Sequence, residues 1–338
     1  MGEAMGEFDL IERYFRRAAK RSPLAHSTSG RIALGAGDDC ALLEPGPGMQ
    51  LAVSCDMLVE GRHFLSTVDP VRLGHKALAV NLIDLAACGA KPLAFTLALA
   101  LPAVDEPWLA GFSRGLFALA DAHGCELVGG DTTRGPLNIC ITVFGEVPAG
   151  AALLRSGAQA GDDIWVSGTL GDARLALEVF RGSLTLPAEA FEIARTRMEQ
   201  PTPRVALGQA LRGTASAAVD VSDGLIGDLG HLLSGSRAGA TLNADIAMNL
   251  IAVCADGAVA AGLFNVETRR SVALSGGDDY ELVFTAPASA RAAVEQAGRA
   301  SATPVARIGR IDAEPGLRVV DANGAPLGQR FGSFDHFA

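Results

Sequence analysis

Between Arg31 and Val320, short apolar runs that stop at Asp or Gly alternate with longer segments of helical period. A chain patterned this way buries its runs as strands with helices laid across them, which restricts it to α+β or mixed α/β architectures. The spacing predicts an amphipathic helix over 8–20, strands at 31–34 and 50–55, and a helix over 70–87. A strand at 93–101, a helix over 105–123 and strands at 125–128 and 137–147 follow. Pro148 to Gly161 is rich in Ala and Gly and loses the pattern, so the expected domains are 1–147 and 148–338. Each is long enough to bury a core. Beyond the boundary the alternation restarts with a strand at 163–167, helices at 171–181 and 203–212, and a strand at 217–221. A helix over 224–234, a strand at 280–285, a helix over 288–299 and strands near 304–311 and 317–321 complete it.

Several function classes fall away. With 28 basic against 38 acidic side chains, the net charge of −10 is a poor match for nucleic acid, whose binding rests on Lys and Arg. Lysine occurs only as Lys20, Lys76 and Lys91, so no G-x-x-x-x-G-K-[ST] phosphate loop exists, and the protein-kinase Lys and H-R-D set is absent too. The longest apolar stretch, Pro92 to Val104, is shorter than the roughly 20 residues of a membrane span, so no membrane partner is expected. Glu3, Glu7 and Asp9 give the N-terminus the wrong charge for a leader. Six cysteines without a CxxC pair read as reduced, mostly buried thiols, and the expected compartment is the cytoplasm.

The recurring chemical event is an Asp at the end of an apolar strand, often beside glycine. Asp38 and Asp39, Asp56, Asp131, and Asp220 with Asp223 follow this pattern, Asp84 projects from a helix, and Asp278 and Asp279 precede the last long strand. Turns and helix caps account for single aspartates. Adjacent pairs call for more, and carboxylates brought together repel unless a cation lies among them. Scattered hard oxygen ligands with substrate phosphates point to Mg²⁺. Ser167 to Asp172, between strand and helix, offers either a phosphate cradle or a plain tight turn. Arg155 is a candidate cation for phosphate or a solvated linker arginine, and His63 is the histidine worth singling out.

Seven segments together resemble the thiamine-monophosphate kinase family. They are Gly37-Asp-Asp-Cys-Ala41, Ser54-Cys-Asp56, Gly61-Arg-His-Phe64, Lys76 to Asp84, Gly129-Gly-Asp-Thr-Thr-Arg-Gly135, Asp220-Val-Ser-Asp-Gly224 and Ser275-Gly-Gly-Asp-Asp-Tyr-Glu281, with Phe334-Asp-His-Phe337 closing the chain. They stand in the family's order, within the superfamily of aminoimidazole-ribonucleotide synthetase and selenophosphate synthetase. The resemblance implies an α+β fold of two mixed α/β domains, the N-terminal one of the aminoimidazole-ribonucleotide synthetase type binding ATP and Mg²⁺, the C-terminal one completing the substrate site. It implies transfer of the γ-phosphoryl group of ATP to thiamine monophosphate, with several Mg²⁺ ions, K⁺ as a further cation to consider, and a homodimer.

Carried over by residue, Asp39, Ser54, Cys55, Asp56, Asp84, Asp131, Asp220 and Asp223 match the metal ligands, Cys55 through its carbonyl. Gly130, Asp131, Arg155 and Ser222 match positions that contact ATP, and His63, Asp278 and Phe334 match positions near thiamine monophosphate. Asp131 and Asp223 are the expected catalytic carboxylates. Cys55 stands where threonine is common, Asp278 replaces a glutamate, and Phe334 replaces a larger or hydroxylated aromatic. Two rivals stay open: a related ATP-dependent synthetase, and a non-catalytic regulator that binds Mg-nucleotide.

Overall fold

The structure is a computed structural model that describes residues 6–16, 32–35, 40–255, 258, 260, 262–329 and 331–333. In chain order its elements begin with a short helix α1 (Glu7–Leu10), continued by a π turn at Ile11–Phe15, and strands β1 (Ile32–Leu34), β2 (Leu42–Leu43) and β3 (Met49–Val59). Next come α2 (Pro70–Ala87), β4 (Lys91–Leu101), α3 (Glu106–His123), β5 (Glu126–Arg134) and β6 (Asn138–Pro148). The remainder comprises β7 (Asp163–Ser167), α4 (Asp172–Phe180), α5 (Ala188–Glu199), α6 (Val205–Ala210), β8 (Ala217–Val221), α7 (Leu225–Ser236), β9 (Gly239–Asn243), α8 (Ala244–Met248), α9 (Val266–Ser275), β10 (Glu281–Ala286), α10 (Arg291–Ala300), β11 (Val305–Asp312) and β12 (Gly316–Val320). The fold is α+β, and the chain divides into two compact units, 1–85 with 90–150, and 86–89 with 151–338.

In the first unit four strands pair in the order β3-β6-β4-β5, with β4 and β5 parallel and the other pairs antiparallel. The parallel pair requires a crossover, which α3 supplies. That helix starts where Asp105 accepts the Trp108 amide at 3.1 Å and stops at Gly124, whose φ is +60°. Helices α2 and α3 approach so closely that a Cβ on Gly74 would lie 2.0 Å from the Phe112 carbonyl oxygen, and one on Gly115 1.8 Å from that of Val71. Only glycine fits there. Leu78 and Leu82 of α2, Phe95 of β4 and Phe112 and Leu116 of α3 are fully buried.

The second unit holds a six-stranded sheet in the order β12-β9-β11-β7-β10-β8, antiparallel except for β12 beside β9. Every residue of β7, β8 and β10 is buried, the polar Asp163, Ser167, Asp220, Glu281 and Thr285 among them. Its core gathers Ile164, Val166, Val219, Leu229, Leu242 and Ile308.

Several expectations are corrected. The first helix ends at Phe15, where Arg16 turns extended, and residues 17–20 lie outside the described ones. The strand expected at 125–128 runs to Arg134 through a register shift at Val128, so Gly129-Gly-Asp131 lies within the strand and not beyond its end. Helix 203–212 shortens to Val205–Ala210. The spacing gave no sign of α5, β9, α8 or α9. Only Cys125 and Cys254 are buried thiols; Cys40 and Cys55 are exposed, and Cys88 and Cys140 half-buried. No described helix is long and apolar enough to cross a membrane.

Candidate functional site

Strand alternation builds the first unit's half of the candidate set. Side chains of β3 point alternately to its two faces. Ser54 and Asp56 share one face with the helix α2: Ser54 Oγ donates to Asp84 Oδ2 at 2.5 Å, and the Asp56 amide donates to Asn81 Oδ1 at 3.0 Å. Asn81 is itself buried and donates through Nδ2 to the Ala77 carbonyl at 3.0 Å, so its orientation is fixed from both ends. Asp56 lies within β3, Asp131 within β5 and Asp220 within β8, not after those strands as the pattern suggested. Asp131 is exposed and follows Gly130, whose φ is +151° and whose added Cβ would meet the Leu97 carbonyl oxygen at 1.9 Å. That glycine is demanded by the neighbouring strand whatever it binds.

His63 sits in the turn after β3, where Nδ1 accepts the Val59 amide at 3.0 Å. The ring proton of the neutral form is thereby held on Nε2. Cys55 lies on the opposite face of β3 from Asp56, its Sγ 3.5 Å from Cys140 Sγ, and burial with this contact raises the Cys140 thiol to about 11. Asp39 and Phe334 lie outside the described residues.

The second unit's half is assembled by loops. Asp220 is buried at the end of β8, and burial pushes its carboxyl above the usual range against the pull of Arg155 and a hydrogen bond from Ser222. Asp228, which the sequence pattern did not single out, turns back from the first turn of α7. Its Oδ2 accepts the amides of Ser222, Asp223 and Gly224 at 3.0, 3.0 and 3.1 Å. Burial and the Asp220 charge nevertheless raise it to about 7. Arg155 is exposed, yet not a loose linker residue: the Leu154 carbonyl accepts the Ala218 amide at 2.9 Å, and the Arg155 carbonyl accepts from Ser236 Oγ at 3.3 Å.

The segment Ser275 to Glu281 folds against the end of β8. Asp278 and Tyr280 adopt φ of +63° and +49°, a conformation costing roughly 1–2 kcal/mol for each non-glycine residue. The Asp278 amide donates to the Ser222 carbonyl at 2.7 Å and the Tyr280 amide to that of Val221 at 2.8 Å. Between them Asp279 is buried, its Oδ1 accepting the Gly171 amide at 2.9 Å, its Oδ2 without a hydrogen bond, and burial holds its carboxyl well above the usual range. Glu281, fully buried, receives Arg204 Nε and Nη2 at 2.6 Å each, Arg197 Nη2 at 2.7 Å and Ser167 Oγ at 2.6 Å. A carboxylate opening an otherwise apolar strand was the one signal in the sequence for this cluster, since it demands a cation.

The Ser167–Asp172 turn is not a phosphate cradle. The amides of Gly168, Thr169, Leu170 and Gly171 are already spent on Pro304 O, Glu281 Oε1, Leu250 O and Asp279 Oδ1. Among the described residues, no group of three or more His, Cys, Asp or Glu side chains is placed to hold a metal ion. The structure therefore brings together Ser54 with Asp84 in the first unit, and Asp220, Ser222 and Asp228 in the second.

Comparison with known proteins gives a consistent picture. Residues 37–147 match the family described as AIR synthase related protein, N-terminal domain, and 159–322 the corresponding C-terminal domain. The chain is 46% identical over 99% of both lengths to a thiamine-monophosphate kinase of Salmonella typhimurium. A solved thiamine-monophosphate kinase from Stenotrophomonas maltophilia superposes with a TM-score of 0.79 at 48% identity, covering 88% of this chain and 92% of that one. AaThiL, solved in complex with AMPPCP and TMP, superposes with a TM-score of 0.72 at 28% identity, covering 86% and 88%.

Proposed function

The chain belongs to the thiamine-monophosphate kinase family, and we propose that it transfers the γ-phosphoryl group of ATP to the phosphate of thiamine monophosphate, giving thiamine diphosphate and ADP. What carries the reading is full-length similarity to kinases of this substrate, joined to a relative that binds an ATP analogue and TMP.

Phosphoryl transfer asks for positioning and charge neutralisation more than covalent chemistry. We assign Asp39, Ser54, Asp56, Asp84, Asp131, Asp220 and Asp223 to Mg²⁺, with Cys55 contributing its carbonyl. The donor chemistry fits: these are hard oxygens, and Asp223 raises the cost of ionising Asp220, as Asp220 and Asp223 do that of Asp228, which a cation relieves. Bound Mg²⁺ would supply neutralisation between the triphosphate of ATP and the single phosphate of the acceptor, whose repulsion at short range opposes an in-line approach. Asp131 and Asp223 are the carboxylates set nearest the chemistry, and Gly130, Arg155 and Ser222 hold ATP. His63, Asp278 and Phe334 hold thiamine monophosphate, His63 through an Nε2–H fixed by the Val59 amide. The acceptor phosphate is ionised near pH 7, so no general base is needed and transfer is direct.

The partner we assign is a second copy of the chain. Leu51, Val53 and Met57 are 41%, 56% and 53% exposed on one face of the edge strand β3, an apolar row of the kind that association covers. We place the protein in the cytoplasm and include K⁺ among the cations to be tested. The deciding assay measures ATP consumption and product with thiamine monophosphate, thiamine and aminoimidazole precursors. Thiamine diphosphate formed only from thiamine monophosphate is expected. ATP use driven by a precursor amide identifies a related synthetase, and nucleotide binding without turnover identifies a regulator; either overturns the proposal.

A further inference from the structure

Glu281, Arg197 and Arg204 belong to no assigned part of the reaction, yet among the described residues they form the most buried ionic cluster of the second unit. Glu281 has no exposed side-chain surface, and Arg197 and Arg204 keep 17% and 13% of theirs. Such a cluster is a weak source of stability, because desolvating the ions opposes their attraction. Its geometry serves another end. Arg204 forks onto both oxygens of Glu281 and fixes that carboxylate at the start of β10. Arg197 then spans two acceptors with one nitrogen, Nη2 lying 2.7 Å from Glu281 Oε1 and 3.2 Å from the backbone carbonyl of Asp279. That carbonyl belongs to the residue between Asp278 and Tyr280, both in the left-handed region. A backbone held there needs restraint from several sides. The amides of Asp278 and Tyr280 are tied to Ser222 and Val221, Asp279 Oδ1 to the Gly171 amide, and the Asp279 carbonyl to Arg197.

We propose that Arg197 is a positioning residue for the acceptor substrate: by holding the Asp279 carbonyl against Glu281 it sets the backbone that aims Asp278. The inference rests on the assignment of Asp278 to thiamine monophosphate. Arg197 itself touches no substrate. It acts through one peptide, and its influence falls on acceptor binding and leaves ATP aside.

The test is a double-mutant cycle between Arg197 and Asp278, read as KM for each substrate and as calorimetric binding of thiamine monophosphate. Arg197→Lys keeps the charge on a shorter side chain and withdraws the nitrogen that spans Glu281 Oε1 and the Asp279 carbonyl. Its KM for thiamine monophosphate is expected to rise about tenfold, the scale of one lost charge-assisted hydrogen bond, with the KM for ATP within about twofold. In an Asp278→Ala background the same change is expected to add less than about twofold, because the group it positions is gone. Arg204→Lys, which touches Glu281 but no backbone of the segment, is expected to lower the melting temperature comparably with a smaller rise in KM. If Arg197→Lys fails to fold, Arg197→Gln, which retains an N–H donor, carries the same cycle. Equal movement of both KM values, or a full tenfold effect persisting without Asp278, overturns the inference. Wild-type turnover of thiamine monophosphate in the same assay separates that failure from failure of the proposed function.

Discussion

The two units present their carboxylates by different means. In the first, Ser54, Asp56, Asp84 and Asp131 stand on regular elements, where the pleat of β3 and the pitch of α2 decide which side chains meet. In the second, Asp223 and Asp278 stand on loops, with Asp220 at the end of β8, and backbone hydrogen bonds, three of them onto Asp228, fix the local shape. The ionic environment differs accordingly. Burial drives Asp220, Asp228 and Asp279 upward in the second unit, whereas Asp56 and Asp84 are half-buried and Asp131 is exposed. Ligands on regular elements are inexpensive to place, while ligands on strained loops need a buried scaffold that itself has to be stable.

That contrast breaks first on Glu281→Ala. Removing the anion that Arg197 and Arg204 share leaves two largely buried cations without their main partner, and about 3–5 kcal/mol of stability is expected to be lost by denaturant unfolding. A loss below about 1 kcal/mol would show that the second unit does not depend on this scaffold. Next in size are Asp84→Asn and Asp131→Asn in the first unit. Each is expected to lower kcat about 10²-fold while stability stays within about 0.5 kcal/mol. Near wild-type turnover at low Mg²⁺ in either variant removes that residue from the metal set. Phe334→Ala follows: an aromatic face attracts a cationic ring by roughly 0.5–2 kcal/mol, so the KM for thiamine monophosphate is expected to rise roughly 3- to 30-fold. Weakening of both substrates together with a lower Tm would reduce Phe334 to a packing role.

The smallest effect sharpens the comparison from outside either ligand set. Asp163 opens β7 and accepts Arg291 Nε and Nη2, with Arg307 beside it, and the Arg291 guanidinium holds its carboxyl below the usual range. A depressed carboxyl stabilises the folded chain above the unfolded value of about 4, and that stability is lost as pH falls through the folded one. Arg291→Ala is therefore expected to lower stability slightly at pH 7 and to leave it nearly unchanged below the folded value, so that the acid limb of the stability curve becomes shallower. An unchanged acid limb contradicts the pairing.

What the sequence discloses follows the same division. Helix 70–87 and strands 163–167 and 217–221 are legible to the residue because apolar periodicity alone determines them. Asp56 and Asp84 can be picked out as carboxylates set among apolar residues, whereas Ser54 enters only through the resemblance to the family. The turn Ser167–Asp172 has the composition of a phosphate loop, but composition is silent on where amides point, and partners more than 70 residues away take all four. Asp228, Arg197 and Arg204 carry no local signal, since each acts on a segment remote in sequence or bends back on its own loop. The strand through Gly129-Gly-Asp131 is hidden for a related reason: two glycines suggest that the strand has ended until the adjacent Leu97 carbonyl explains one of them.

Direct transfer between two substrates held together is tested most sharply by the stereochemical course at phosphorus, followed with ATP made chiral at its γ-phosphoryl group. One in-line displacement inverts the configuration, and inversion in the thiamine diphosphate is the expected result. Retention would require an even number of displacements and a phosphorylated side chain between them, and would contradict the mechanism.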